Sequence, residues 1–164
     1  MTSSYSGLSP LISPASRVLI LGSYPSIISL KTGQYYANPR NMFWDIIEDI
    51  LGISKNLSYK DRISSLMEEK VGLWDVYANC NRPTSSDAKI TEPVPNDIKG
   101  LLASHHHIKT IFLNGREAEK GFLRFFPDLE IPCRYLPSSS PAHAIPLKEK
   151  VKRWMDINQA LSEP

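Results

Sequence analysis

Short apolar runs alternate along this chain with longer stretches in which apolar residues recur every three or four positions, a pattern that predicts strands separated by helices. Residues 17–22 read RVLILG, an uninterrupted apolar run ending in glycine, as expected of a strand covered on both faces and followed by a tight loop. After a long loop through Asn41, Phe43, Ile46, Ile47, Ile50 and Leu51 share one helical face, with Gly52 as the stop. A second amphipathic segment spans residues 60–69, and residues 71–77 (VGLWDVY) form the next strand candidate. Residues 81–95 read as a polar loop, and Asn96 as the N-cap of a helix carrying Ile98, Leu101 and Leu102. Residues 108–113 are a third strand, 116–126 a helix with Ala118, Phe122 and Phe125 inward, and 131–136 a fourth strand. Residues 147–161 are a closing amphipathic helix. Residues 1–16 are Ser- and Pro-rich and read as a loose lead-in that packs Leu8 and Leu11 on a single domain of residues 17–164.

Strands alternating with helices imply an α/β fold, a three-layer α/β/α sandwich around a short, mainly parallel four-stranded sheet. Ligands of such sheets bind beyond the carboxyl ends of the strands. The loops expected there, residues 23–41, 78–95 and 137–146, are the polar, proline-rich ones. Composition adds bounds. The 164 residues carry 19 basic and 17 acidic side chains, a net charge of +2, so any nucleic-acid contact is local rather than spread over a basic face. The two cysteines, Cys80 and Cys133, lie far apart with no CxxC spacing, which argues against a thiolate metal site and reads as reduced, partly buried thiols. His105, His106 and His107 are adjacent, so their side chains diverge, and they read as a helix end. The N-terminus lacks the charged start and apolar run of a signal peptide, and no stretch is long enough to span a bilayer; a cytoplasmic location, or a nuclear one in a eukaryote, is expected.

The loop after the first strand reads GSYPSIISLKTGQYYANPRNMFW. Over residues 22–44 it resembles the first motif of the uracil-DNA glycosylase superfamily, and most closely the hypoxanthine-DNA (deoxyinosine) branch, with its G-S-F-P-G-like start, QYY and PRN-x-FW. Mismatch-specific uracil glycosylases share the spacing. The resemblance resumes at GLWDVYANCNRPTSSD, at FLNG and at LPSSSPAHA, four blocks in order over most of the chain. It implies an enzyme that takes a deaminated base, hypoxanthine or uracil, out of the DNA stack and hydrolyses its glycosidic bond, leaving an abasic site. Such an enzyme needs an aromatic platform, donors to the departing base and a group that places water. The resemblance puts the platform at Tyr36, ahead of the alternative that Tyr35 and Tyr36 merely pack the loop. It gives the base-facing backbone N–H groups to Ser23, Tyr24 and their neighbours.

Three departures from the superfamily pattern shift the expected chemistry. Tyr24 stands where uracil-specific branches carry the Asp or Asn that handles water, which moves that task along the loop to Asn41, ahead of Asn38. Asn41 is also a natural cap for the following helix. Ser26 replaces a glycine. Leu136 replaces the His that opens the second motif, with His143 seven residues later as a partial substitute. Asp75 stands where relatives read the base edge, as an acceptor from a ring N–H; a turn residue or ion pair is an equal reading. Arg82 and the following PTSSD are assigned to the DNA-facing rim. In residues 136–144, Ser138, Ser139 and Ser140 are expected to grip phosphates through hydroxyls and free N–H groups, with Pro141 stiffening the loop and His143 on the same DNA-facing segment. Asn114 and Gly115 read as a turn into a helix whose N-terminus could face a phosphate. The resemblance implies no metal, no cofactor, no Schiff-base lysine and no obligate protein partner, and a monomer acting on DNA that contains a deaminated base. Two other readings stand beside it. One is a non-catalytic DNA-binding module of the same fold. The other is a small serine hydrolase using Ser138–Ser140 and His143, although GxSxG is absent.

Overall fold

In the computed structural model, which describes residues 6–164, the apolar run of the first strand is β1 (Val18–Gly22), buried at every position. It lies at the centre of a parallel sheet of order β2-β1-β5-β6, with β2 (Val71–Asp75), β5 (Thr110–Asn114) and β6 (Cys133–Leu136). Register pairs Gly22 with Asp75 and Asn114 with Leu136, so all four strands end along one rim. One face of the sheet is covered by α2 (Phe43–Leu51), α3 (Tyr59–Glu68), α6 (Leu147–Trp154) and α7 (Asp156–Ser162), around Phe43, Ile46, Ile47, Leu66, Trp154 and Ile157. The other face packs Leu19, Leu21, Ile111 and Leu113 against α4 (Ile98–Ser104) and α5 (Arg116–Phe125). The expected three-layer sandwich is therefore present.

Local elements differ from the pattern in physically simple ways. The run 71–77 is interrupted at Val76: β2 ends at Asp75, and Tyr77–Asn81 turns away as β3, which pairs antiparallel with β4 (Thr91–Pro95). The polar stretch 81–95 thus holds half of a two-stranded ladder and a 3-10 turn (Asp87–Lys89) rather than loop alone. The first long loop contains α1 (Ile27–Thr32), capped by Ser26 Oγ accepting from Ser29 N–H and closed by Gly33 in the left-handed conformation. Ser26 is therefore a helix cap. The cap of α4 is Asp97, which accepts from Gly100 N–H at 3.0 Å. Asn96 instead holds the end of β2, donating Nδ2–H to Asp75 O at 2.8 Å. The closing helix divides at Met155 into α6 and α7.

The lead-in is more firmly held than its composition suggests. Leu11 exchanges backbone hydrogen bonds with Leu73 on the free edge of β2, Gly7 N–H donates to Ala78 O, and Leu8 and Ile12 pack on the two cores. Residues 1–5 of that lead-in lie outside the described residues. Both cysteines are free; Cys80 is half-buried and Cys133 is exposed rather than partly buried. Among the described residues no helix is long and apolar enough to cross a membrane.

Candidate active site

Beyond the ends of β1, β2, β5 and β6 lies a cleft of about 510 Å³, the position that the sheet topology dictates. Its walls are the first long loop, the β3–β4 hairpin, the β5–α5 turn and the loop after β6. Of the expected site residues, Ser23, Tyr24, Tyr36, Asn38, Asn41, Asp75, Ser138, Ser139, Ser140, Pro141 and His143 all line it. Arg82 does not.

The two adjacent tyrosines divide their tasks. Tyr35 turns into the core, its hydroxyl donating to Ser9 O at 2.8 Å, and so ties the lead-in to the first loop. Tyr36 lines the cleft. Its ring stacks on Phe43 with centroids 3.9 Å apart and planes 16° from parallel, and its hydroxyl accepts from Asn114 Nδ2–H at 3.1 Å. The backbone of Tyr36 has φ 55°, a left-handed conformation that a bulky side chain adopts only when its surroundings impose it. The stack and the Asn114 bond are those surroundings. The N-cap of α2 is Met42, not Asn41; Asn41 Oδ1, one residue earlier, accepts from Phe43 N–H at 2.9 Å, and its side chain borders the cleft. Asn38 Oδ1 accepts from Arg40 N–H at 3.0 Å within its own turn.

Asp75, the last residue of β2, is only 4% exposed. Its Oδ2 is buried without a hydrogen-bond partner, and among the described residues it takes part in no ion pair. Burial, and then the charge of Asp87, raise its carboxyl to about 7, against a smaller opposing effect of Arg82. The ion-pair reading of Asp75 is thus not what the structure contains. Asp87, in the PTSSD segment, accepts from Ser23 Oγ–H at 2.7 Å, and Ser85 Oγ accepts from Ile27 N–H at 3.1 Å. These two bonds fasten the hairpin tip to the first loop. Arg82 braces the same junction rather than facing outward: its guanidinium donates to Pro25 O and lies 5.1 Å from the Tyr24 ring centroid.

In the loop after β6, one of the three serines expected to face phosphate, Ser139, is buried, while Ser138 and Ser140 line the cleft. Ser139 is 1% exposed; its N–H donates to Asn114 Oδ1, its Oγ accepts from Asn114 Nδ2–H, and its carbonyl accepts from Met42 N–H. Ser138 Oγ accepts from Ser140 N–H, and Ser140 Oγ accepts from Ala142 N–H. The N–H groups of Ser139 and Ser140 are therefore engaged within the protein, and the hydroxyls fold the loop on itself. From behind, Trp154 Nε1–H donates to Pro137 O and the buried Lys150 Nζ to Ser140 O. Among the described residues no serine hydroxyl hydrogen-bonds to the His143 ring, whose backbone N–H donates to Ser140 O, so the hydrolase arrangement is not formed.

Asn114 is the residue that sequence reasoning missed. An Asn-Gly pair signals a turn, and Gly115 at φ 96° does turn the chain. Asn114, however, is buried and joins the first loop, through Tyr36, to the last, through Ser139. Asn114→Ala removes three hydrogen bonds and strands the Ser139 N–H. At about 1–3 kcal/mol it lowers Tm by roughly 3–10 °C; an unchanged calorimetric Tm would show that this network does not hold the loops.

Comparison with known proteins matches the Uracil DNA glycosylase superfamily over residues 9–162. The chain belongs to that superfamily. It is 32% identical to the hypoxanthine DNA glycosylase of Methanosarcina acetivorans over 149 residues, 90% of this chain and 94% of the relative. It is 30% identical to the protein of the same description from Methanosarcina barkeri over 151 residues, 92% and 95% of the two chains. A solution NMR structure from Methanosarcina acetivorans, described as a candidate uracil DNA glycosylase, superposes with a TM-score of 0.84 at 30% identity, covering 98% of this chain and 99% of that one. An aromatic and an asparagine of the first loop, Tyr36 and Asn41, border the same cleft.

Proposed function

We propose that this member of the superfamily is a monofunctional DNA glycosylase that extrudes a deaminated base, hypoxanthine in preference to uracil, and hydrolyses its glycosidic bond to leave an abasic site. The observation that carries the reading is the cleft at the strand ends, where Tyr36, backed by Phe43, and Asn41 border one space of about 510 Å³. A flipped base stacks on the ring face of Tyr36 turned from Phe43. Backbone groups of Ser23 and Tyr24 meet its edge. Asn41 holds water against the cationic sugar by hydrogen bonding, since an amide is no base near neutral pH. The preference for hypoxanthine rests on the two Methanosarcina relatives, each described as a hypoxanthine DNA glycosylase, and on their near-complete coverage. DNA phosphates are met along the last loop by the hydroxyls of Ser138 and Ser140 and by the side chain of His143, with Pro141 stiffening the loop, and not by the buried Ser139.

Oligonucleotides holding one deoxyinosine, one deoxyuridine or a G·U mismatch, incubated with the protein and treated with alkali, test this. Strand breaks at deoxyinosine, faster than at deoxyuridine, are expected. Binding without breaks would instead make the chain a non-catalytic module of the same fold.

A further inference from the structure

The carboxyl of Asp75 is oddly equipped for the acceptor role that its position suggests. It lines the cleft at the end of β2, nearly inaccessible, with Oδ2 unpartnered. As an anion it would be buried without compensation. The groups that face it are the carboxylate of Asp87 from the hairpin tip, the guanidinium of Arg82, and the phenols of Tyr24, Tyr35 and Tyr36. Asp87 opposes ionisation of Asp75, and Arg82 is engaged with Pro25 O and the Tyr24 ring. The phenols are all held above their ordinary value by burial and remain neutral. A group so placed keeps its proton into the neutral range, as a carboxylic acid that donates rather than a carboxylate that accepts.

We propose that Asp75 is the proton donor to the departing purine, handing its proton to N7 of the flipped hypoxanthine as the C1′–N9 bond breaks. This rests on the glycosylase reading above. The electron pair of the C1′–N9 bond enters the ring system, the Asp75 proton arrives at N7, and the base leaves as neutral 7H-hypoxanthine. Water held by Asn41 adds its oxygen to C1′ and sheds a proton to solvent, and solvent reprotonates Asp75. The sum is one water added across the bond. Uracil has no imidazole nitrogen and takes no such proton, so the assistance is specific to the purine.

The test is the single-turnover rate of hypoxanthine release from a deoxyinosine duplex between pH 5.5 and 9, for the wild type, Asp75→Asn and Asp87→Asn. The wild-type rate is expected to be level at low pH and to fall about tenfold per unit above about 7, following the fraction of protonated Asp75. Asp75→Asn is slower at pH 6 by about 10²–10⁴-fold, the usual range for loss of an acid catalyst, and its rate no longer falls with pH. Its affinity for deoxyinosine DNA, read by fluorescence anisotropy, stays within a few-fold. Asp87→Asn keeps the acid but removes the neighbouring charge, so the break in its profile moves to lower pH. A flat wild-type profile, or an Asp75→Asn profile that breaks as the wild type does, overturns the proposal and leaves the glycosylase reading standing. Absence of base release by the wild type at every pH overturns that reading itself, and the proton donor with it.

Discussion

Asn41→Ala is expected to slow base release by about 10²–10³-fold, the scale of losing one preorganised polar group at a reacting centre, while DNA affinity changes little. The structure makes this separable from an effect on folding. Asn41 Oδ1 accepts from Phe43 N–H, the first N–H of α2, and losing one such hydrogen bond costs about 1 kcal/mol. In a chain of 164 residues that lowers Tm by roughly 2–4 °C, far too little to account for a hundredfold loss at 25 °C. Asn41→Asp keeps this acceptor and should melt close to the wild type. Asn38→Ala is the control from the same loop, because Asn38 serves its own turn through Arg40 N–H. A large loss in Asn38→Ala with little in Asn41→Ala, measured as single-turnover rates, would exchange the two assignments.

Gly22→Ala should be nearly as damaging, for a steric reason. A Cβ on Gly22 would lie 2.6 Å from Asp75 Oδ1 and 3.2 Å from Tyr36 Oη. Both groups border the cleft, and both must move. Overpacking of this kind costs about 1–3 kcal/mol. The functional effect is greater, since a displacement of about 1 Å in a positioning group lowers a rate by about 10²-fold. Far-UV circular dichroism should be unchanged while deoxyinosine cleavage falls at least a hundredfold. Near-wild-type cleavage would show that neither Asp75 nor Tyr36 needs its observed position.

The elements that could be read in the chain are those whose burial is written in local pattern. β1 and β5 are apolar at nearly every position because helices cover both faces of the sheet. α2 shows its stripe and its Gly52 stop. The hairpin was hidden because Asn81, Thr91 and Glu92 stand clear of any core, and a two-stranded ladder at a sheet rim needs no alternation of apolar residues. α1 is too short to show a stripe. In the site, residue type and loop membership were legible, but the partners were not. Ser139 looks like a phosphate donor until Asn114, 25 positions away, is seen to hold it. Arg82 looks like a surface charge until Tyr24 and Pro25 are found beneath it. The protonation of Asp75 depends on desolvation by residues distant in sequence, which no local pattern encodes.

The proposed function requires hydrolytic release of an intact base at a cleft that uses a held water and no covalent link to the protein. The most direct measurement is mass spectrometry of the products from a deoxyinosine duplex incubated in ¹⁸O-labelled water. Free hypoxanthine without label and an abasic strand bearing one ¹⁸O at C1′ are expected. After borohydride treatment no protein should be joined to DNA. Recovery of the duplex unchanged by well-folded protein, or of a borohydride-trapped protein–DNA adduct, would contradict the proposed function.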